Sequence, residues 1–324
     1  MYILGLDCGG TSSQALLTTT SGRVLGSGGG GPANYTVNGV DGVVASVSQA
    51  IQQALVESKL GLSRILESGV VLALGVSGAS RPPDLLDLTQ AFQKEGFPHV
   101  VAQHDATIAQ LGALSGADGV IVIAGTGSIA YGVKGQNSAR VGGWGYLLGD
   151  EGSALWIALR ALQQVMWGYD GRTSPDLELE LAAQAYFQVS KVEYLVPTVY
   201  RIPLNRGFIG GFSKTVTALA SEGHELCRTI LTQAGQELGR LAVAALAQLD
   251  LLGAEGRVGA CGGVFSAGDC IVQPMQEQLK QQGAKQIVTL PDFEPVVGAV
   301  LLGAQALHLN LDSVVVELRN SLTK

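Results

Sequence analysis

The stretch Gly119–Gly132, GVIVIAGTGSIAYG, carries residues suited to holding an anion. Gly125 and Gly127 permit a tight turn without side chains in the way, so backbone N–H groups can converge on a ligand. The hydroxyls of Thr126 and Ser128 add two further donors. A second turn of this kind, Gly9-Gly10-Thr11-Ser12, lies within YILGLDCGGTSSQALL near the N-terminus. Two such turns could hold different phosphates of one nucleotide. Asp105, in Gln103-His104-Asp105, is the candidate proton acceptor. It falls between the end of a predicted strand and the start of a predicted helix, the edge at which open α/β sheets bind ligands. A helix N-terminus there favours the ionised carboxylate, although capping alone would also explain an Asp at that position.

These residues need elements to position them. Val120–Ile123 is apolar and β-branched, which predicts a strand buried on both faces, with a second strand through Ile129–Val133 and a turn at Lys134–Ser138. Tyr2–Leu17, with its turn at Thr20–Arg23, repeats the pattern and predicts two strand–turn–strand–turn–strand meanders. Gly26–Gly31 has five glycines in six residues and predicts a loop able to adapt to a ligand. Asp41 is the expected N-cap of a helix to about Ser58, with Val43, Val47, Ile51 and Leu55 on its buried face. Gly69–Gly75 and His99–Gln103 predict further strands, and Asp150 is expected to begin an amphipathic helix reaching about Met166. Asn34 alone reads as a turn residue and Trp144 as core. Gly143 and Gly145, however, expose backbone beside the Trp144 ring, a pairing suited to carbohydrate. Arg257–Gly263 predicts a strand opening onto glycines, and Gly298, Ala299 and Gly303 predict a closely packed helix. The segment GFIGGFSKT is not a Walker A loop, because Phe212-Ser213 stands where Gly must precede Lys.

Composition narrows the function classes. The chain has 324 residues, 47% hydrophobic and 15% charged, enough for two packed domains. A net charge of −7 without a Lys/Arg cluster argues against nucleic acid as a ligand. No apolar run reaches the length of a membrane span, and the N-terminus lacks the marks of a signal peptide, so a cytoplasmic protein is expected. Cys8, Cys227, Cys261 and Cys270 form no C-x-x-C pair and read as reduced thiols.

Leu6-Asp7-Cys8-Gly9-Gly10-Thr11, Gln103-His104-Asp105, Ala124-Gly125-Thr126-Gly127-Ser128 and Gly142-Gly143-Trp144-Gly145…Gly149-Asp150-Glu151-Gly152-Ser153 follow one another in that order. In this the chain resembles the N-acetylglucosamine kinase branch of the BadF/BadG family, within the actin–hexokinase–Hsp70 ATPase superfamily, from Met1 to about Gly303. The first loop is shared across much of the superfamily, and the GGWG–GDEGS combination is far more specific.

The resemblance implies an α/β fold of two ribonuclease H-like (actin-like ATPase) lobes with a cleft between them. Residues 1–117 would form a sugar- and phosphate-binding lobe with helix 293–324 packed back on it, and 118–292 an ATP-binding lobe. It implies ATP and Mg²⁺ as cofactors, a small-molecule sugar as partner, neither nucleic acid nor membrane, and room for a homodimer. By the same resemblance Gly9, Gly10, Thr11, Gly125, Thr126 and Gly127 would cradle phosphates, and Asp7 would hold Mg²⁺ through water. Gly211, Gly262 and Gly263 would lie at the nucleotide. Asn34, Tyr35, Ser128, Ile129, Gly143, Trp144, Gly145 and Asp150 would contact the sugar, with Asp105 as base toward its 6-hydroxyl. In animal members an asparagine that contributes to acetamido recognition follows GTGS, whereas Ile129 stands here. N-acetylglucosamine or glucosamine is the first expectation; N-acetylmannosamine, glucose and N-acetylmuramic acid stay open, as does a broad-specificity hexokinase. The reading of another class is a regulatory ATPase that activates a dehydratase or reductase.

Overall fold

The structure, a computed structural model, describes residues 1–201 and 204–323. It opens with strands β1 (Tyr2–Cys8), β2 (Ser13–Thr19) and β3 (Val24–Gly30), then helices α1 (Tyr35–Ser58) and α2 (Leu62–Glu67). Strand β4 (Val70–Val76), helix α3 (Pro82–Lys94), strand β5 (His99–His104) and helix α4 (Asp105–Ala113) follow. A second meander, β6 (Gly119–Ala124), β7 (Ser128–Lys134) and β8 (Asn137–Gly142), leads into helix α5 (Ala154–Tyr169). Helices α6 (Leu177–Phe187), α7 (Leu195–Val199), α8 (Arg206–Gly211), α9 (Ser213–Ser221) and α10 (Glu225–Gln248) come next. The chain ends through β9 (Arg257–Cys261), α11 (Asp269–Gln281), β10 (Ile287–Thr289), α12 (Pro295–Ala306) and α13 (Leu311–Leu322). Two compact units result: Met1–Asp118 with Pro291–Lys324, and Gly119–Leu290.

Each unit is built on one five-stranded sheet, ordered β3-β2-β1-β4-β5 in the first and β8-β7-β6-β9-β10 in the second. In both, the three meander strands pair antiparallel and the next two join in parallel. The two meanders read from the sequence are both present, and the topology is the duplicated ribonuclease H-like α/β one that the family resemblance implies. The central strands bury both faces, which is why they read as continuous apolar runs: Ile3, Leu4 and Leu6 of β1 and Val120, Ile121 and Val122 of β6 are all fully buried.

Three local expectations are corrected. Gly26–Gly31 is not a loop through its length, because Gly26–Gly30 belongs to β3 and pairs with β2. Its glycines serve packing: a Cβ on Gly26, Gly28 or Gly30 would run into the carbonyls of Ala54, Ala50 and Ser46 respectively. The period of two along the strand meets the period of four along α1, so the strand lies directly on the helix backbone. Second, α1 begins at Tyr35 with Asn34 as its cap, and Asp41 lies inside it beyond a kink at Gly39 (φ 65°). Third, Asp150 does not begin α5. The helix starts at Ala154, and the Ser153 hydroxyl caps it by accepting from the Trp156 N–H at 3.2 Å.

The small residues of α12 do pack closely. A Cβ on Gly298 would collide with the carbonyl of Ile108 in α4, and one on Gly303 would stand 2.6 Å from the Ile3 side chain in β1.

Candidate active site

Strand register assembles the site in the first unit. Cys8 pairs with Val76, and Val76 with His104, so β1, β4 and β5 end level with one another. Asp7, Ser77 and Asp105 therefore fall at one sheet edge, though they are far apart in sequence. The loops above are tied to that edge by the backbone: Gly9 O accepts from Ala33 N–H (2.9 Å), Cys8 O from Ser77 N–H (2.9 Å) and Ser77 O from Tyr35 N–H (2.8 Å).

Asp105 is the first residue of α4, and His104 rather than Asp105 occupies the cap position. His104 Nδ1 lies 3.0 Å from Asp105 Oδ1 and 3.1 Å from the Ala106 N–H. One ring nitrogen cannot donate to the first and accept from the second at once, so the imidazole tautomer decides which contact forms. Burial raises the Asp105 pKa, but hydrogen bonds from His104, Ser77 and the Ala106 N–H outweigh it and leave the carboxyl below its ordinary value. Burial, with the negative charges of Asp105 and Glu294, pushes Asp7 the other way, to about 6. Two neighbouring carboxyls are thus driven apart in acidity.

Ser77, which the motifs did not single out, joins two candidate residues. Its hydroxyl accepts from Asn34 Nδ2 at 3.1 Å and hydrogen-bonds the Asp105 carboxylate. Asn34 also accepts from the Val37 N–H through Oδ1 (3.2 Å), so it caps α1 in the ordinary manner of a turn asparagine. The Tyr35 hydroxyl donates to Asp87 Oδ2 at 3.2 Å. In the first turn Gly9 N–H donates to Ser12 O at 3.0 Å, while Gly10 and Thr11 are exposed. A Cβ on Gly10 would meet nothing within 4 Å, so packing gives no reason for glycine there.

The second unit brings most of the remaining candidates together. Gly125 N–H donates to Gly127 O (2.9 Å), and Gly125 O accepts from Ala154 N–H (2.8 Å), which fastens the turn to the start of α5. Asp150 is 7% exposed and holds a left-handed backbone conformation, φ 61°, that Asp tolerates better than most residues. Its Oδ1 accepts from the Ser128 N–H at 3.3 Å, and the Ser128 hydroxyl donates to Glu151 O at 2.7 Å. Ile129 packs under Gly143, where an added Cβ would stand 2.9 Å from Ile129 Cδ1. Trp144 is 64% exposed and so is not core. Arg140, also missed from the motifs, fixes it: the guanidinium lies 4.7 Å from the indole centroid and donates to Gly143 O at 2.7 Å. A cation four residues before the tryptophan was the available signal.

Ile123 pairs with Cys261, which sets Gly262 (φ 99°) and Gly263 beside the Gly125 turn; a Gly262 Cβ would lie 2.5 Å from Ala124 O. Gly211 is different. It ends α8 against Tyr186, whose hydroxyl donates to Phe208 O at 2.7 Å, so packing accounts for the missing side chain.

As for a divalent cation, Asp7 offers a hard carboxylate oxygen at a strand end, which fits Mg²⁺ held through its water shell.

Known proteins resemble this chain in sequence and in fold. The chain is 29% identical over 239 residues to an N-acetylmuramic acid/N-acetylglucosamine kinase of Clostridium acetobutylicum, covering 73% of this chain and 76% of that one. It is 28% identical over 258 residues to an N-acetyl-D-glucosamine kinase of Dictyostelium discoideum, covering 76% and 80%. A solved structure from Chromobacterium violaceum with a provisional N-acetylglucosamine kinase assignment superposes with a TM-score of 0.72 at 25% identity, over 93% of this chain and 98% of that one. A ROK-family glucokinase from Streptomyces griseus shares the fold, with a TM-score of 0.57 at 15% identity over 94% and 100% of the chains. The BadF/BadG/BcrA/BcrD ATPase family model matches residues 4–303. The chain belongs to the BadF/BadG/BcrA/BcrD ATPase family.

Proposed function

We propose that the chain is an ATP-dependent sugar kinase that phosphorylates the 6-hydroxyl of an amino sugar, N-acetylglucosamine or glucosamine. The observation that carries this reading is the pair Asp105 and Asp7. Against the cost of burial, His104, the Ser77 hydroxyl and the Ala106 N–H leave the Asp105 carboxyl below its ordinary value at a sheet edge, while burial and nearby negative charge raise its neighbour Asp7 to about 6. Opposite shifts of this kind separate the roles of two acids in one site. Asp105 accepts the proton of the 6-hydroxyl as that oxygen bonds to the γ-phosphorus, the β–γ bridging bond breaks, and ADP leaves. Phosphoryl transfer of this sort demands placement more than a strong base, so a depressed pKa is no obstacle.

Gly9–Thr11 and Gly125–Gly127 are each a phosphate-cradling turn; the Gly9 and Gly125 N–H groups close the turns, and the N–H groups of Gly10 and Thr11 in the one and of Thr126 and Gly127 in the other are the donors offered to phosphate. Gly262 and Gly263 give the nucleotide close approach to the backbone, and Gly211 is a nucleotide neighbour on the family resemblance alone. Asn34, Tyr35, Ser128, Ile129, Gly143, Trp144, Gly145 and Asp150 serve the sugar. Mg²⁺ held by Asp7 through water would offset negative charge on the phosphates.

A coupled ADP-release assay across hexoses and amino sugars tests this. ADP release should require an amino sugar with a free 6-hydroxyl, and the 6-deoxy analogue should be inert. Asp105→Ala should keep sugar binding and lose most turnover. ATP hydrolysis indifferent to every sugar would overturn the reading, and equal use of glucose would replace it with a broad hexokinase.

A further inference from the structure

The donors and acceptors around Asp105 decide which nitrogen of His104 carries the proton. His104 Nδ1 lies 3.0 Å from Asp105 Oδ1, and the Ala106 N–H points at the same nitrogen from 3.1 Å. That N–H has a second acceptor, because it also hydrogen-bonds the Asp105 carboxylate. The two tautomers of a neutral imidazole can therefore be compared group by group. With the proton on Nε2, the Nδ1 lone pair takes the Ala106 N–H and caps α4. It then faces the lone pairs of an ionised Oδ1 at hydrogen-bond distance, which is repulsive. With the proton on Nδ1, that N–H donates to Oδ1 and the Ala106 N–H donates to the carboxylate. Nε2 is left to water, on a side chain that is 31% exposed. Only the second arrangement satisfies every group while the carboxylate is ionised. Among the described residues, His104 is the one basic side chain within ion-pair distance of Asp105. The charged groups that face this edge from other elements are carboxyls: Asp7 on β1, which feels both Asp105 and Glu294, the residue before α12.

We propose that His104, as the Nδ1–H tautomer, is the positioning residue of the base: it fixes the rotation of the Asp105 carboxylate so that one lone pair stays open to the acceptor alcohol. The proposal rests on the sugar-kinase reading above. A carboxylate offers about four lone-pair sites. His104, the Ser77 hydroxyl and the Ala106 N–H fill three of them, which leaves one for an incoming hydroxyl proton. The backbone holds the imidazole in place for this task, since His104 ends β5 while Asp105 opens α4. Capping of α4 is the second, separable use of the same ring.

Nitrogen NMR of the imidazole rings of the full chain reads the tautomer without any substrate. The His104 signals, assigned by their loss in His104→Asn, should show a protonated Nδ1 and a bare Nε2 at neutral to alkaline pH. In Asp105→Ala, where the carboxylate is gone, the ring should revert to the Nε2–H form and cap α4 through Nδ1. Kinetics supply the second arm. His104→Ala should lower kcat ~10- to 100-fold, the loss typical of one hydrogen bond to a charged group, with KM for the sugar changed by no more than about twofold. Its acid limb should move to higher pH, because a carboxylate with one donor fewer binds its proton more tightly. His104→Asn, whose amide can accept from a helix N–H and donate to Oδ1, should recover much of kcat. A lower melting temperature in His104→Ala with kcat and the acid limb unmoved would reduce His104 to a helix cap and overturn the proposal. A bare Nδ1 in the wild-type protein with sugar-dependent turnover would overturn it too, and would leave the kinase reading intact. A protonated Nδ1 with ADP release unmoved by any sugar would overturn the kinase reading, and the role of His104 in that reaction with it.

Discussion

The carboxylate of Asp150 occupies the space beside Gly127 that a side chain would need: a Cβ on Gly127 would lie 2.8 Å from Asp150 Oδ2. The Gly125–Ser128 turn and the segment ending at Asp150 are therefore one packed piece, because Asp150 Oδ1 also accepts from Ser128 N–H. Gly127→Ala should displace Asp150 and the turn together. A misplacement of about 1 Å near reacting groups costs roughly a hundredfold in rate, and kcat/KM for both ATP and sugar should fall on that order. Steady-state kinetics with a circular-dichroism melt checks this. A variant as active as wild type would show that the contact is incidental.

Ser77 gives a prediction with a sign. Its hydroxyl is one of the donors that hold Asp105 below the ordinary carboxylate value. Removing it in Ser77→Ala raises that pKa, and a base loses activity as pH falls through its pKa, so the acid limb of kcat/KM should move to higher pH. The same group bears on folding. A depressed folded-state pKa contributes stability above the unfolded value, lost as pH falls through the folded one, and Ser77→Ala should shrink that contribution. Loss of one hydrogen bond to a charged group corresponds to roughly ten- to a hundredfold in rate, and Ser77→Thr should recover much of it. An unmoved acid limb in Ser77→Ala would detach Ser77 from the base.

Asp7 separates binding from fold. Burying an ionised carboxylate is unfavourable unless something opposite in charge compensates it, and Asp7 keeps its pKa near 6 under the negative charges of Asp105 and Glu294. In the presence of ADP, added Mg²⁺ should raise the melting temperature of the wild-type protein, as any ligand of the folded state does. Asp7→Asn should lose that Mg²⁺-dependent increment while ADP alone still shifts its melt. An undiminished increment in Asp7→Asn would move the metal elsewhere.

Much of this is legible in sequence because it depends on local pattern. Ile3–Leu6 and Val120–Ile123 can only be buried strands, and their repetition with a glycine turn after each implies the doubled topology. What stays hidden depends on partners distant in sequence. Ser77 meets Asp105 only because β1, β4 and β5 end in register, and nothing local to GVSGAS says so. Asp150 reads as a helix start, since Asp is a common cap. Its left-handed backbone and buried carboxylate follow instead from the tight path between Gly149 and Gly152 (φ 76°), with Ser153 left to cap the helix.

The glycine run shows the same limit most sharply, and it can be tested without any substrate. Propensity disfavours strand at Gly26–Gly30, because glycine gives up the most backbone entropy and packs no side chain. Tertiary packing overrides that propensity: α1 presents Ser46, Ala50 and Ala54 at the same face, so a strand without side chains can approach the helix backbone. Gly28→Ala puts a methyl group into the carbonyl of Ala50, a backbone atom that cannot rotate aside. Overpacking of this kind typically costs about 1–3 kcal/mol, and chemical denaturation should read a loss in that range. At Gly29, where the nearest atom to an added Cβ is the end of the Gln53 side chain at 3.8 Å, alanine should be nearly silent or slightly stabilising. If the two alanine variants were equally stable, β3 would not lie on α1 as described, and the loop reading of the glycine run would be restored.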